Sequence, residues 1–167
     1  MSKSTKQLTI NALVATLYVV MTSVFSFMSF GPVQFRLAEI LNHLIIWDRK
    51  YAYGILGGVF LSNALFMFSS GLGWYDLIFG VGHSALSLAL TTVLIKLRDK
   101  TRDQLLLNAL SFGLCSFMIG LELHLALHLP FWESYFFVAV GEVVTMGVGA
   151  FIMPILDRKI SFARLLN

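Results

Sequence analysis

From residue 8 to residue 156 the chain leaves apolar sequence only for short turns, and this narrows the available folds more than any motif does. The apolar runs cover 8–28, 33–47, 51–68, 74–95, 105–129 and 131–156. Most approach the roughly 20 residues that a helix needs to cross the ~30 Å hydrocarbon core of a bilayer. Hydrophobic residues make up 57% of the chain, charged residues only 13%, and the mean hydropathy is +0.81. A soluble domain of 167 residues has no use for that much apolar surface. The expected fold is therefore all-α: a polytopic membrane protein with six transmembrane helices forming one integral domain over 1–167. Cys115 is the only cysteine, so no internal disulfide is possible. No GxxxxGK[ST] motif is present, and there is no room for an ATP-binding unit. The net charge of +3 lies in loops and does not point to nucleic acid. The first run resembles the start of a signal peptide, but it exceeds the usual core of about 7–15 apolar residues and is expected to be retained.

Charge sets the expected orientation. Six crossings put both termini on one side of the membrane. Lys3, Lys6, Arg49, Lys50, Lys96, Arg98, Lys100, Arg102, Arg158, Lys159 and Arg164 fall on that side, and Arg36 alone on the other. Lysine and arginine concentrate in cytoplasmic loops. Both termini are thus expected in the cytoplasm, with the turns at 30–36, 69–74 and 129–133 outside.

The second run cannot be a plain lipid-facing helix. Phe30-Gly31-Pro32 ends the run before it, because proline lacks an N–H and restricts its predecessor. In the short helix that follows, Arg36, Glu39 and His43 stand at i, i+3 and i+7 and share one face, with Asn42 beside them. Leu37, Ile40, Leu41 and Leu44 cover the opposite side. A charge at the bilayer centre costs roughly 3 kcal/mol or more, so such a stripe faces protein or a water-filled cavity.

At about 1.5 Å per residue, most of the intramembrane charge falls in the outer half: Glu39, Asp76, Glu122 and Glu142. Asn63 lies at a similar level, with His83 one repeat deeper than Asp76 and continued by Ser87 and Thr91. The inner halves read as almost purely apolar. This is the pattern of a pocket open outward and closed inward, whereas a pore needs polar lining along its length. Each candidate also has a structural reading. Arg36 and Glu39 neutralise each other as an i, i+3 pair, Asp76 caps a helix, and Asn63 makes an interhelical hydrogen bond. His83 packs in the core, and Glu122 pairs with His124. His124 and His128, at i and i+4, form a weak metal pattern. Gly54 and Gly58 form a GxxxG packing motif. Asn11/Ala15 and Ala12/Thr16 are overlapping small-or-polar pairs, suited to packing inside the monomer or to docking another membrane protein.

Several stretches together resemble one family. NALVATLYVV, FGPVQFRLAEIL, the glycine-rich third run ending in Asn63, GWYDLIFG and GEVVTMGVG look like the QueT-type S-components, the substrate-binding subunits of energy-coupling-factor (ECF) transporters. The resemblance covers nearly the whole chain. Its most specific part is Gly31, Pro32, Gln34, Phe35, Arg36 and Glu39. It implies a six-helix S-component fold in the bacterial cell membrane, no enzymatic activity, and no cofactor in this chain. It implies a queuosine precursor as substrate, a 7-deazaguanine such as 7-aminomethyl-7-deazaguanine. It also implies a transmembrane scaffold, EcfT, and two ECF ATPases that use the ATP. S-components dock on that scaffold through a small-xxx-small motif in the first helix, matched here by Ala12 and Thr16.

The implied ligand suits the polar residues found independently. A deazaguanine presents adjacent N–H and NH₂ donors that one carboxylate accepts together, and its cationic aminomethyl group calls for a second. Glu142 and Glu39 are the expected principal acceptors, with Glu122 and Asp76 in reserve. Asn63, Gln34, Arg36 or His83 supplies a donor to the carbonyl. Phe35, Trp74 or Trp132 offers an aromatic face. The rival readings are an S-component for another vitamin or nucleobase, an intramembrane metalloenzyme built on Glu122, His124 and His128, and a channel or structural protein.

Overall fold

The computed structural model describes residues 2–26 and 36–166. The expected outer turn at 30–36, with Gln34 and Phe35, lies outside them except for Arg36. Among the described residues seven helices follow in order: α1 Lys3–Val24, α2 Leu37–Ile46, α3 Tyr51–Phe66, α4 Asp76–Leu97, α5 Thr101–Leu127, α6 Phe131–Ile160 and α7 Phe162–Leu165. No strand occurs among the described residues. Within these residues α1, α4, α5 and α6 are long and apolar enough to cross a membrane, while α2 and α3 are shorter apolar helices.

The burial pattern is that of a protein in lipid. Glu39, Asn42, His43, Asp76, His83, Asn108 and Glu122 are fully buried, while Leu110, Leu114, Phe136, Val144 and Phe151 are left uncovered. In water the hydrophobic effect drives the reverse arrangement. In hydrocarbon an apolar surface costs nothing, and polar side chains turn inward to find partners.

α2 is the hub. It packs against α1, α3, α4, α5 and α6. It is wound as a 3₁₀ helix, three residues per turn with about 2.0 Å rise, so ten residues extend about 20 Å rather than 15. That winding corrects the expected face. At three per turn Glu39 lies in line with Asn42, whose amide donates to Glu39 Oε2. His43 turns away, toward Met146 and Gly149 of α6. α3 packs closely on α1 through its glycines. Asn11 Oδ1 accepts from the Gly54 N–H at 2.8 Å, and a Cβ added at Gly54 or Gly58 would come within 2.6 Å of the Asn11 carbonyl oxygen or of Tyr18 Cβ.

Local irregularities aim the polar groups. α4 opens with a wide π turn over Asp76–Gly80, a form often found at functional sites. α5 begins four residues earlier than the expected 105 and is interrupted at Ser116, where Thr101–Cys115 gives way to Phe117–Leu127. The Ser116 hydroxyl donates back to the Phe112 carbonyl at 2.9 Å, a contact that bends helices. The second half then packs on the Asp76–Gly80 turn. α6 runs through Pro154 to Ile160, beyond the expected 156.

The two ends of the chain meet at one end of the bundle. Gln7 Nε2 donates to the Leu166 carbonyl (3.1 Å) and Lys6 Nζ to that of Arg164 (3.3 Å). Phe162 is buried there, edge-on to Trp47, and its carbonyl accepts from the Tyr51 hydroxyl at 2.9 Å.

Candidate functional site

At the opposite end, four buried carboxylates surround one guanidinium. Arg36, which precedes α2, pairs with Asp76 at 3.6 Å (Nη2 to Oδ1). Glu39 lies one turn along α2, Glu122 comes from the second half of α5, and Glu142 from the middle of α6. The charges of Glu39, Glu122 and Asp76 all act on Arg36, and those of Glu39 and Arg36 act on Glu142. None of the five residues is more than 7% exposed. Helices distant in sequence thus converge on one buried cluster of polar side chains, here called the chamber.

The carboxylates differ in what already holds them. Glu39 is fully engaged: Tyr18 donates its hydroxyl to Oε1 at 2.7 Å and Asn42 its amide to Oε2. Asp76 accepts from Ser70 Oγ at 2.7 Å on Oδ2 and faces Arg36 with Oδ1. Its backbone carbonyl accepts from Asn63 Nδ2 at 2.9 Å. Glu142 keeps Oε2 without a hydrogen bond, and Glu122 keeps both oxygens so, among the described residues. The Glu122 and Asp76 carboxyl groups face each other closely enough to interact. Two carboxylates cannot share a hydrogen bond without a proton or a cation between them. If all four were ionised, one arginine would leave a net charge of −3 in a chamber walled by hydrocarbon. Such a site is completed by a cation or a proton donor, because unpaired buried charge is costly.

The sequence-derived candidates sort accordingly. Arg36, Glu39, Asp76, Glu122 and Glu142 come together. Asp76 and Glu122, expected only as reserves, sit at the centre. Asp76 does not merely cap α4, because its side chain is committed to Arg36 and Ser70. Asn63 joins through the Asp76 backbone. His83 is buried beside the chamber and donates Nε2–H to the Phe112 carbonyl at 3.1 Å, leaving Nδ1 without a hydrogen-bond partner among the described residues. Trp74 and Trp132 lie away from the chamber, 58% and 75% exposed, Trp74 stacked on Tyr75. Their amphipathic rings suit a membrane interface. His124 is exposed and bonds the Leu129 carbonyl at 2.8 Å, and His128 takes a left-handed conformation as it ends α5. Neither turns toward the buried Glu122. The overlapping pairs on α1 also separate. Asn11 packs on Gly54 and Ala15 lies beside Gly57 and Gly58, whereas Ala12 and Thr16 are exposed.

A second polar layer corrects the expectation of apolar inner halves. Thr91 and Asn108 lie roughly 10 Å from the terminal-end limits of α4 and α5. The Met146 carbonyl accepts from His43 Nε2 at 2.8 Å, so the imidazole hydrogen is on Nε2 and Nδ1 is an acceptor. Asn108 Nδ2 fills that acceptor at 3.0 Å and also donates to the Asn42 carbonyl at 3.2 Å. The Thr91 hydroxyl donates to Asn108 Oδ1 at 2.8 Å. Asn108 therefore uses both amide hydrogens and its oxygen. It ties α2, α4 and α5 together directly beneath the Glu39–Asn42 pair. Sequence reading missed Asn108 and Tyr18. The signal for Asn108 was an asparagine at membrane depth. For Tyr18 it was a phenol in an apolar helix, which needs a partner when buried.

A family model described as QueT transporter matches residues 8–158 of the chain. The chain is also similar to the queuosine precursor transporter QueT of Lactococcus lactis subsp. cremoris (strain MG1363), with 31% identity covering 92% of this chain and 93% of that one. No solved structure matches significantly.

Proposed function

Since the chain belongs to the QueT transporter family, we propose that it is the substrate-binding subunit of an ECF importer, capturing a 7-deazaguanine such as 7-aminomethyl-7-deazaguanine. The observation that carries this reading is the chamber itself: one guanidinium among four buried carboxylates, with the Glu122 oxygens lacking hydrogen-bond partners among the described residues. The ligand brings what the chamber lacks. Its aminomethyl cation fits between Glu122 and Asp76. The open Oε2 of Glu142 accepts from the N–H and NH₂ edge of the ring. Glu39, already held by Tyr18 and Asn42, orients Arg36 and the wall of the site. Arg36 and Asn63 donate to the ring carbonyl, and Gln34 and Phe35 are further candidates for contact with the base.

In this reading residues 1–167 form one integral domain of six membrane helices, with α2 and α3 as the short second and third crossings. Both termini are cytoplasmic, in keeping with their meeting at one end of the bundle and with the distribution of lysine and arginine. The chain itself is a transport component rather than an enzyme. Its partners are the scaffold EcfT and two ATPases, which reorient the loaded subunit and release substrate inside.

A thermal scan of the purified chain tests the substrate. The aminomethyl base is expected to raise the melting temperature strongly, the neutral 7-cyano-7-deazaguanine and guanine less, and thiamine not at all. A ligand at a hundredfold excess over its Kd stabilises by about 2.7 kcal/mol. A shift with thiamine and none with any deazaguanine would remove the substrate assignment and leave the fold.

The exposed Ala12–Thr16 pair is the proposed scaffold-docking face. Ala12→Trp is expected to abolish co-purification with EcfT and leave the ligand-induced shift intact. Retained assembly would move the docking face elsewhere.

A further inference from the structure

A second feature lies outside the chamber, at the end of the bundle that carries both termini. α5 begins there beside the end of α6, and a hollow of about 350 Å³ lies between them. Leu106, Phe151 and Ile155 line it and are 45%, 76% and 59% exposed. The small side chain of Ala150 helps to keep it open. Arg102, in the first turn of α5, and Arg158, in the last turn of α6, complete the lining. Among the described residues neither guanidinium is paired with a carboxylate.

Two features coincide here. The hollow extends from Ala150 to Arg158, eight residues or about 12 Å along the helix, into membrane depth. Two unpaired cations stand where the spans reach the charged ends of the bundle. A soluble anion would engage the arginines and leave the apolar hollow empty. An acyl chain alone would fill the hollow and leave the arginines unused. We propose that this surface holds an anionic phospholipid, its phosphate between Arg102 and Arg158 and an acyl chain along the hollow. The planar guanidinium fork suits phosphate oxygens, and basic pockets between membrane helices are suited to anionic headgroups. The site does not depend on the substrate reading, because no residue of the chamber takes part.

The test uses the full chain in detergent, titrated with dioleoyl phosphatidylglycerol, dioleoyl phosphatidylcholine or soluble glycerol phosphate. Phosphatidylglycerol is expected to raise the melting temperature by about 5–10 °C at a hundredfold excess over its Kd, and the other two far less. The shift is lost in R102Q/R158Q, is reduced in Ala150→Phe, which fills the hollow, and is kept in Lys159→Gln, which leaves both arginines. An equal shift in the double variant would reduce the effect to general surface charge and overturn the site. Equal stabilisation by glycerol phosphate would overturn the lipid and leave an anion site. Native mass spectrometry of the wild-type chain provides a readout that needs no variant: phosphatidylglycerol is retained over phosphatidylcholine, and equal retention overturns the proposal.

Discussion

Glu122→Gln is expected to weaken binding of 7-aminomethyl-7-deazaguanine by about 30-fold or more while the ligand-free protein melts no lower than wild type. The two halves of this result have one cause. Glu122 is fully buried, and neither oxygen has a hydrogen-bond partner among the described residues. Glutamine keeps the shape and removes a carboxyl group that is costly to ionise in a dry interior beside Asp76. Losing one member of a buried charge pair with a cationic ligand costs about 2–5 kcal/mol, and each 1.4 kcal/mol is about tenfold in Kd. Affinity for the neutral 7-cyano base should change little, so discrimination between the two bases collapses. Glu39→Gln provides the contrast. Its oxygens already hold Tyr18 and Asn42, so it should lower the stability of the free protein first. Calorimetric titration of both variants with both bases checks the scheme. Unchanged affinity of Glu122→Gln for the aminomethyl base would sink the assignment of Glu122 to the cation.

Asn108→Leu is expected to lower the melting temperature of the free protein by on the order of 10 °C. Leucine shares the branched outline of asparagine but is bulkier, and it takes away two donors and an acceptor. The Asn42 carbonyl, His43 Nδ1 and the Thr91 hydroxyl are then left without this partner in a dry interior. An orphaned buried polar group costs about 1–3 kcal/mol, and each kcal/mol moves the midpoint of a chain this size by about 2–4 °C. Asn108→Asp separates packing from polarity. It keeps the acceptor for Thr91 but presents a carboxylate to the Asn42 carbonyl, and it faces His43 favourably only when the imidazole is protonated. It should therefore be destabilised at neutral pH and partly restored in acid, where Asn108→Leu gains nothing. Because Asn108 holds α2 beneath Glu39, both variants should also weaken ligand binding. A melting temperature within a degree or two of wild type for Asn108→Leu would show that the layer does not hold α2.

Much of this was legible in the chain, for reasons particular residues make plain. Arg36, Glu39, Asp76, Glu122 and Glu142 stood out because charge is so costly at membrane depth that each had to be committed to something. Their ranking was not legible. Glu39 read as a principal ligand and Glu122 as a reserve, yet Tyr18 and Asn42 already occupy Glu39. Whether a carboxylate is taken depends on neighbours brought in by other helices. At a period of 3.6 His43 shares the Glu39 face, but the 3₁₀ winding of α2 turns it to α6. A fifth run starting at 105 puts Asn108 in its first turn. With α5 beginning at Thr101, the asparagine lies a full turn deeper.

The amino-acid sequence alone determined the class of the protein, the approximate course of its helices and the identity of the charged residues that had to be buried. Those follow from the transfer cost of each residue between water and hydrocarbon, which needs no partner to be known. Only the tertiary structure decided which of the two pairs on α1 stays uncovered, which carboxylate is left without a hydrogen bond, and that a second polar layer lies beneath the first. Those are properties of pairs of side chains from different helices. They are set by winding, bends and close approach, at distances of about 3 Å, where a shift of one residue changes the partner.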